Sequence, residues 1–388
     1  MRQSSRFLLC ACIVAVLLLI KINATGWATP QSKGFEVRKV TDIFEFRTGV
    51  IVDSNQSTVY LMNLLRGIDA VDLSSGELLW STTNAAKPLL LYDGRLVAQA
   101  EPATPSNRLR IVVLDAKDAG KLLLEPNVQL PKDIQVAIDD GLGTTFRTSA
   151  RLHEDKVIVS WQYSNQHISG APPGPTAKVS VTAGTIQIDL KTGNTDSLKS
   201  EEVPPIPDTQ LPDNVAQLIK LGTLPGPLWQ VGNVLATIDR IKDKGGQRTI
   251  LRRWRRETGQ PLPEVVLFGE ELTYRYTSAD GRYLLASKPL DSAEPHWSWR
   301  IFSLETGEQV AEVRNAFPAT WFFITASSLI LEVPPTGRIS NGEMVIDQPL
   351  RLRAINRETS NQLWEWPLRD TTYRGPYPPR LTGGSRPP

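Results

Sequence analysis

The sequence predicts an all-β fold, a β-propeller of four-stranded antiparallel blades. Three observations predict it. An eleven-residue pattern around a glycine turn returns six times. Its copies stand about one blade apart. The stretches between them read as short apolar strands, and long helix-period segments are absent.

The pattern is clearest at residues 70–80, Ala-Val-Asp-Leu-Ser-Ser-Gly-Glu-Leu-Leu-Trp, where Asp72 stands four residues before Gly76 and Trp80 four after it. Residues 58–62 and 67–72 supply the strands ahead of that turn. Residues 111–115 lead to Gly120 with one residue extra, and residues 186–189 lead to Gly193 at the original spacing. Residues 251–259 keep the turn but carry Arg255 at the aspartate place. Residues 299–307 carry Ser303 there. Residues 352–364 carry Asn356 there, with Ser360 in place of the glycine and Trp364 closing the copy. The physical reason is common to all. Glycine takes positive φ without a Cβ penalty, and Asp, Asn or Ser can bind the turn amides with its side chain. The flanking strands then pair as a hairpin.

Successive turns lie 44, 73, 66, 48 and 53 residues apart, so the short intervals match one blade. The long ones have visible causes. Residues 167–178, with Ala-Pro-Pro-Gly-Pro at the centre, lengthen a hairpin. The proline-rich stretch 202–227 lengthens a connection between blades and holds at most a short helix at 215–221. A β-sandwich with chance Thr-Gly turns is the competing fold, but it gives no reason for a repeat at blade spacing. Six units are counted. Residues 35–40 and 43–47 are unassigned strand-like pieces, expected to form a further partial blade with the chain after Leu368. The organisation expected is residues 1–28 as signal peptide or membrane anchor, 29–34 as linker, 35–368 as propeller and 369–388 as a Pro/Gly-rich tail.

The repeat Ala-x-Asp-x-x-(Ser/Thr)-Gly-x-x-x-Trp resembles that of pyrroloquinoline-quinone-type, quinoprotein-like propellers. That group includes quinoprotein alcohol dehydrogenases and the propeller lipoprotein of the outer-membrane protein assembly machine. The resemblance covers residues 50–368 and is strongest in the first and last copies. It implies a fold and is nearly silent on function, because these residues build blades and not sites. The group mostly has seven or eight blades. Its dehydrogenases imply a bound quinone, a calcium ion and a catalytic aspartate, many with a disulfide between adjacent cysteines.

This chain departs from those enzymes. Its cysteines are Cys10 and Cys12, both in the apolar N-terminal run, and no acidic cluster has the form of a calcium loop. No catalytic residue, cofactor or metal is therefore expected. His153, His167 and His296 are far apart and lack metal-ligand spacing. Asp139-Asp140-Gly141 reads as a turn rather than a carboxylate pair. Trp80 and Trp364 share one repeat position, so they are expected to dock one blade on the next.

Residues 1–6 are short and basic, residues 7–20 are uninterrupted apolar, and Ala24, Gly26 and Ala28 follow Lys21. This is the pattern of a secretory signal. As a helix the run rises about 21 Å, short of a bilayer core of roughly 30 Å. The alternative is an uncleaved anchor through residues 7–20. Either places the rest outside the cytoplasm, periplasmic or secreted. Without residues 1–28 the chain has 40 basic against 41 acidic residues, so nothing global favours nucleic acid or anionic lipid.

The most unusual local feature is residues 248–256, Arg-Thr-Ile-Leu-Arg-Arg-Trp-Arg-Arg. On a strand, Leu251, Arg253 and Arg255 share one face, and Arg252, Trp254 and Arg256 the other. One reading is an inter-blade salt-bridge set with Glu257, Glu270 or Glu271. The other is a partner-binding patch of Arg252, Arg253, Trp254, Arg255 and Arg256, since Arg with Trp is the composition of interface hot spots. The function expected is a non-catalytic scaffold binding a protein or peptide partner in the cell envelope. The alternatives are a quinoprotein-type or other channel-centred enzyme, and a small-ligand or sugar-binding propeller.

Overall fold

A computed structural model describes residues 37–369, apart from 103, 105, 137–143, 166–179, 206–209, 225–226, 244–245, 270–273, 291–296, 319 and 341–342. The expected signal or anchor, the linker, nearly all of the tail, the Ala-Pro-Pro-Gly-Pro insertion, His167, His296 and Asp139-Asp140-Gly141 lie outside the described residues.

The described residues form six blades of a β-propeller. It opens with β1 (Val37–Lys39) and β2 (Ile43–Arg47). Blade one is β3 (Val50–Asp53), β4 (Thr58–Met62), β5 (Ile68–Asp72) and β6 (Leu78–Thr82). Blade two is β7 (Lys87–Tyr92), β8 (Arg95–Gln99), β9 (Arg108–Asp115) and β10 (Lys121–Leu124), with β11 (Asn127–Gln129) also pairing β9. Blade three is β12 (Thr144–His153), β13 (Lys156–Asn165), β14 (Ser180–Asp189) and β15 (Thr195–Leu198). Helix α1 (Asp213–Lys220) follows, close to the short helix expected. Blade four is β16 (Leu228–Val231), β17 (Val234–Asp243), β18 (Gly246–Arg255) and β19 (Pro261–Phe268). Blade five is β20 (Tyr274–Thr277), β21 (Tyr283–Pro289), β22 (Trp297–Ser303) and β23 (Gln309–Asn315). Blade six begins with β24 (Phe322–Ile324) and β25 (Ser328–Val333). A separate hairpin, β26 (Thr336–Ser340) and β27 (Glu343–Gln348), interrupts it before β28 (Arg351–Asn356) and β29 (Gln362–Pro367) complete it.

Within each blade consecutive strands pair antiparallel. The first strands face the axis, where β7 meets both β3 and β12. The last strands form the exposed rim. In five blades the third-to-fourth turn bonds the first-to-second turn, as in Leu73 N–H to Ser57 O, Ala116 N–H to Gly94 O and Leu304 N–H to Arg282 O, so these turns share one face of the disc.

The repeat motif is this third-to-fourth turn. Gly76, Gly193, Gly259 and Gly307 all have positive φ, from 67° to 81°. The residue four places ahead does what its side chain allows. Asp72 accepts from Ser74 and Ser75 N–H, Asp189 from Lys191 and Thr192, Ser303 from Glu305 and Thr306, and Asn356 from Glu358 and Thr359. Burial pulls the Asp72 carboxyl up, yet the bonds from Ser74 and Ser75 hold it below its ordinary range.

The same turn receives the neighbouring blade. A Cβ on Gly120 would come within 2.7 Å of the Trp80 ring, and one on Gly76 within 2.7 Å of Trp364 Cδ1. Trp80 Nε1 donates to Ala116 O and Trp364 Nε1 to Leu73 O, the residue after the turn aspartate each time. These two tryptophans dock blade one on blade two and blade six on blade one, as the repeat predicts. Trp366 Nε1 adds a bond to Gly76 O at 2.8 Å. At Gly193 the guest is Leu124, at Gly307 Val265, and at Gly259 the start of α1, through Pro212 and Asn214.

The expected partial blade is replaced by a different arrangement. β1 pairs parallel with β16, and β2 pairs antiparallel with β3, so each adds a fifth, innermost strand to a complete blade. These blades, four and one, lie opposite each other in a ring of six. Residues 37–47 therefore cross the channel. Their short apolar content cannot bury a sheet face of its own, but it suits an inner edge that the ring already encloses.

Gly76 and Gly193 separate two effects. Both have φ near 75°, but a Cβ on Gly193 meets only Leu124 at 3.6 Å. Gly193→Ala is expected to cost about 1 kcal/mol of backbone strain. Gly76→Ala must also move Trp364 and is expected to cost about 2–4 kcal/mol. Denaturant melts of the two variants check this.

Candidate functional site

β1 and β2 do not fill the channel evenly. β2 lies against blade six, where Phe44 and Phe46 pack edge-on to Phe323 at 5.3 and 5.5 Å between ring centres. β1 lies along blade four. Between them and blades four to six remains a cavity of about 280 Å³ lined by Arg38, Lys39, Trp229, Tyr276, Asp280 and Trp321, with the 277–281 turn segment.

Each wall has a distinct character. Arg38 and Lys39 of β1 are both exposed, and no carboxylate among the described residues pairs with Lys39. Tyr276 and Trp321 stand 6.5 Å apart between ring centres and are 38% and 47% exposed, unusual for aromatics in a concave site. Trp229 is 6% exposed, and its indole N–H has no acceptor among the described residues. Asp280 is tied into the turn: it accepts from Ser278 Oγ and from Arg282 N–H, and burial raises its carboxyl above the ordinary range. Ser278 Oγ in turn accepts from Tyr283 N–H. Arg282 also bonds Asp42 at 2.7 Å and so fixes the β1–β2 link over the channel. The cavity thus offers cations, aromatic faces and an orphan donor, with its carboxyl engaged in local structure.

On the far side of the channel the polar groups are closed in. Lys87, 6% exposed, donates to Thr148 O at 3.1 Å and Thr148 Oγ1 at 3.3 Å, and Thr148 Oγ1 donates to Gln99 Oε1 at 2.6 Å. Burial pulls the Lys87 ammonium down to about 8, against the charge of Glu45 and with help from Arg147. Burial likewise raises Glu45, although Lys87 and the Gly49 N–H oppose it. This cluster ties blades one, two and three to the inserted strand. Among the described residues no three His, Cys, Asp or Glu side chains come together as a metal site would require.

The arginine strand is β18, and its two faces alternate as the sequence requires. Leu251 packs toward blade five, and Arg253 reaches the same neighbour by donating to Glu305 O at 2.7 Å, while it also donates to Pro263 O of its own blade at 3.2 Å. Trp254 is buried on the other face against Val215 of α1. Arg252 pairs with Asp239 at 3.2 Å and Glu264 at 2.9 Å. The carboxylates named from sequence differ: Glu270 and Glu271 lie outside the described residues, and Glu257 is exposed on the turn. Arg255 and Arg256 are exposed at the rim. The aspartate place is exposed here, so the cation on it needs no buried counter-charge. The five residues of the expected patch therefore divide into a buried ring, two held arginines and two open ones.

The cavity residues carry no repeat signature, and sequence reading missed them. Trp229, Tyr276 and Trp321 come from three successive blades, and only the ring brings them together.

No protein-family model matches the sequence, and no curated protein matches it. Solved structures that match include a europium-containing methanol dehydrogenase at 11% identity, covering 84% of this chain and 79% of that one, with TM-score 0.33. The apo form of the AtxE2 isopeptidase matches at 12% identity, covering 88% of this chain and 52% of that one, with TM-score 0.39. Dihydro-heme d1 dehydrogenase NirN in complex with DHE matches at 12% identity, covering 81% of this chain and 65% of that one, with TM-score 0.28. The chain thus spans about half the length of the isopeptidase.

Two expectations follow from the charges. Arg253→Ala removes one charge-assisted bond to blade five and one within blade four and is expected to destabilise by about 1–2 kcal/mol, whereas Arg255→Ala is expected to stay within about 0.5 kcal/mol. Thermal melts of the single variants separate them. For Lys87, the folded state binds the proton more weakly than the unfolded chain. Stability is expected to rise as pH climbs from about 8 to 10.5 and to fall back as pH drops through 8. The rise is of the order of 3 kcal/mol. Urea midpoints across that window should show the slope in the wild type and a flatter one in Lys87→Met.

Proposed function

We propose that this chain is an exported, non-catalytic propeller that binds a protein or peptide partner in the cell envelope, with the channel cavity of blades four to six as its recognition site. The observation that carries this reading is the pair Tyr276 and Trp321, open to solvent inside a concave site and flanked by the cations of β1. Aromatic and cationic side chains in a pocket are the composition of binding hot spots. Exposed aromatic area without an occupant is unfavourable, and a partner's apolar group would cover it.

The chemistry around the cavity supports recognition over turnover. A general acid or base must be free to meet its substrate. Asp280, the carboxylate that lines the cavity, is engaged by Ser278 and Arg282 and holds a turn in shape. The signal-like N-terminus and the likeness of the repeat to the assembly-machine lipoprotein support work in the envelope.

The test is capture of partners from solubilised envelope by the exported protein carrying a C-terminal tag. A discrete partner is expected with the wild type and not with Trp321→Ala, while both melt at the same temperature. Equal capture by the two proteins would remove the cavity from the reading, and turnover of an offered substrate would replace it with an enzyme.

A further inference from the structure

We infer that a short extended peptide segment adds as a strand to the inner edge of β20, with one aromatic or apolar side chain laid on Tyr276 and Trp321. This deepens the recognition reading above and rests on it.

The ring already uses this mode on its own chain. β1 adds to the inner edge of blade four in parallel, and β2 to that of blade one antiparallel. An inner edge therefore takes a strand from outside the repeat, in either direction. In blade two the innermost strand, β7, is closed in by β3 and β12. In blade five no described strand pairs with the inner edge of β20, and the cavity lies against it from Tyr276 to Gly281.

The register of β20 fixes what that edge presents. In an antiparallel pair, successive residues turn their N–H and C=O alternately to the partner strand and away from it. Ser278 N–H donates to Tyr283 O at 2.8 Å, which makes Ser278, Tyr276 and Tyr274 the residues turned toward β21. The peptide groups of Arg275 and Thr277 then face the channel, where a main chain laid alongside can bond them. Side chains alternate with the same period. Tyr276 stands opposite Leu285, which packs toward blade six, and its ring meets Trp321 on that side. A peptide residue laid beside Tyr276 points the same way and covers both exposed rings.

Main-chain bonds and ring contact need no charge on the ligand. The ionic groups of the turn are engaged within the protein, Asp280 by Ser278 and the Arg282 N–H, and Arg282 by Asp42. A ligand held by charge alone would leave edge and rings unused, and a sugar would leave the edge unused. About 280 Å³ lies at the small end of ligand pockets and suits two or three residues. The β1–β2 link stands over the channel and limits passage, so the segment is a chain end or a loop tip.

The test titrates the neutral peptide fluorescein-Gly-Gly-Thr-Phe-Thr amide with the exported protein, read by fluorescence anisotropy. Two further peptides carry an N-methyl group on the Phe nitrogen or on that of the following Thr. Alternate N–H groups of an added strand face β20, so one methylation is expected to weaken binding at least about tenfold and the other less than about threefold. Loss with the Thr methyl reports an antiparallel strand, and loss with the Phe methyl a parallel one. Ala in place of the peptide's Phe should weaken binding about tenfold. Thr277→Pro removes an N–H that β21 does not use, and Trp321→Ala removes a ring. Each should weaken the parent peptide at least about fivefold at an unchanged melting temperature. Equal effects of the two methylations, or no binding up to millimolar protein, overturn the inference. Where Thr277→Pro melts early, the methylated pair decides alone. If Trp321→Ala loses its captured envelope partner while folded Thr277→Pro keeps it, the added strand is wrong and the recognition site stands. If capture is also indifferent to Trp321, both fall.

Discussion

The ring depends on one contact repeated around it: side chains from the outer strand of one blade, or at Gly259 from the start of α1, laid on a third-to-fourth turn. Five glycine turns receive such a guest, and the guests differ. Trp80, Leu124, the start of α1, Val265 and Trp364 all occupy that place. What stays constant is the absence of a Cβ at the receiving turn. At Gly76, Gly120, Gly259 and Gly307 backbone conformation and packing therefore impose one requirement on one residue, while at Gly193, where a Cβ would meet only Leu124 at 3.6 Å, the backbone imposes it alone. At the ring closure the contact is richest, with Trp364 and Trp366 both bonded to the first blade and a hydrophobic cluster joining residues 46–73 to residues 323–368. Closure here is by side-chain packing, with every blade made from its own stretch of chain.

Once the ring closes, its axis must be filled or left wet, and residues 37–47 do both. β2 covers the inner edge of blade one and β1 that of blade four. The cluster of Lys87, Glu45, Thr148 and Gln99 packs one side of the channel tightly enough to perturb its charges. The opposite side keeps the cavity. The asymmetry arises from chain path, because β2 turns straight into β3 at Gly49, next to blade two, while β1 has only blade four for a neighbour.

The turns were legible in the sequence because their requirement is local. Gly76, Gly193, Gly259 and Gly307 could be placed from four-residue spacing, and the docking role of Trp80 and Trp364 from their shared register. The alternation of β18 was legible for the same reason. The destinations of its arginines were not. Arg253 ends on backbone carbonyls, which no residue type announces, and Arg252 on Asp239 and Glu264, whose proximity depends on strand register. The inner strands were misjudged because β1 has one apolar residue and pairs with a strand far along the chain, an event without a local pattern. The hairpin β26–β27 shows the same limit, since its strands pair only with each other.

The cavity was the least legible feature, for a reason that bears on function in propellers generally. Repeat positions are constrained by blade packing and cannot vary freely, so they carry fold and little else. Residues free to specify a ligand sit on inner strands, at places the repeat leaves open. Trp229, Tyr276 and Trp321 are at places of this kind. They lie on or just before the first strands of three successive blades, ahead of the glycine-turn motif, and the fourth wall comes from a strand outside the repeat. A half-exposed tryptophan there does not strengthen the ring, since Phe322 and Phe323 beside it already supply the buried aromatic area of that strand. Its exposure is a cost in apolar hydration, which the proposed occupant of the channel would remove.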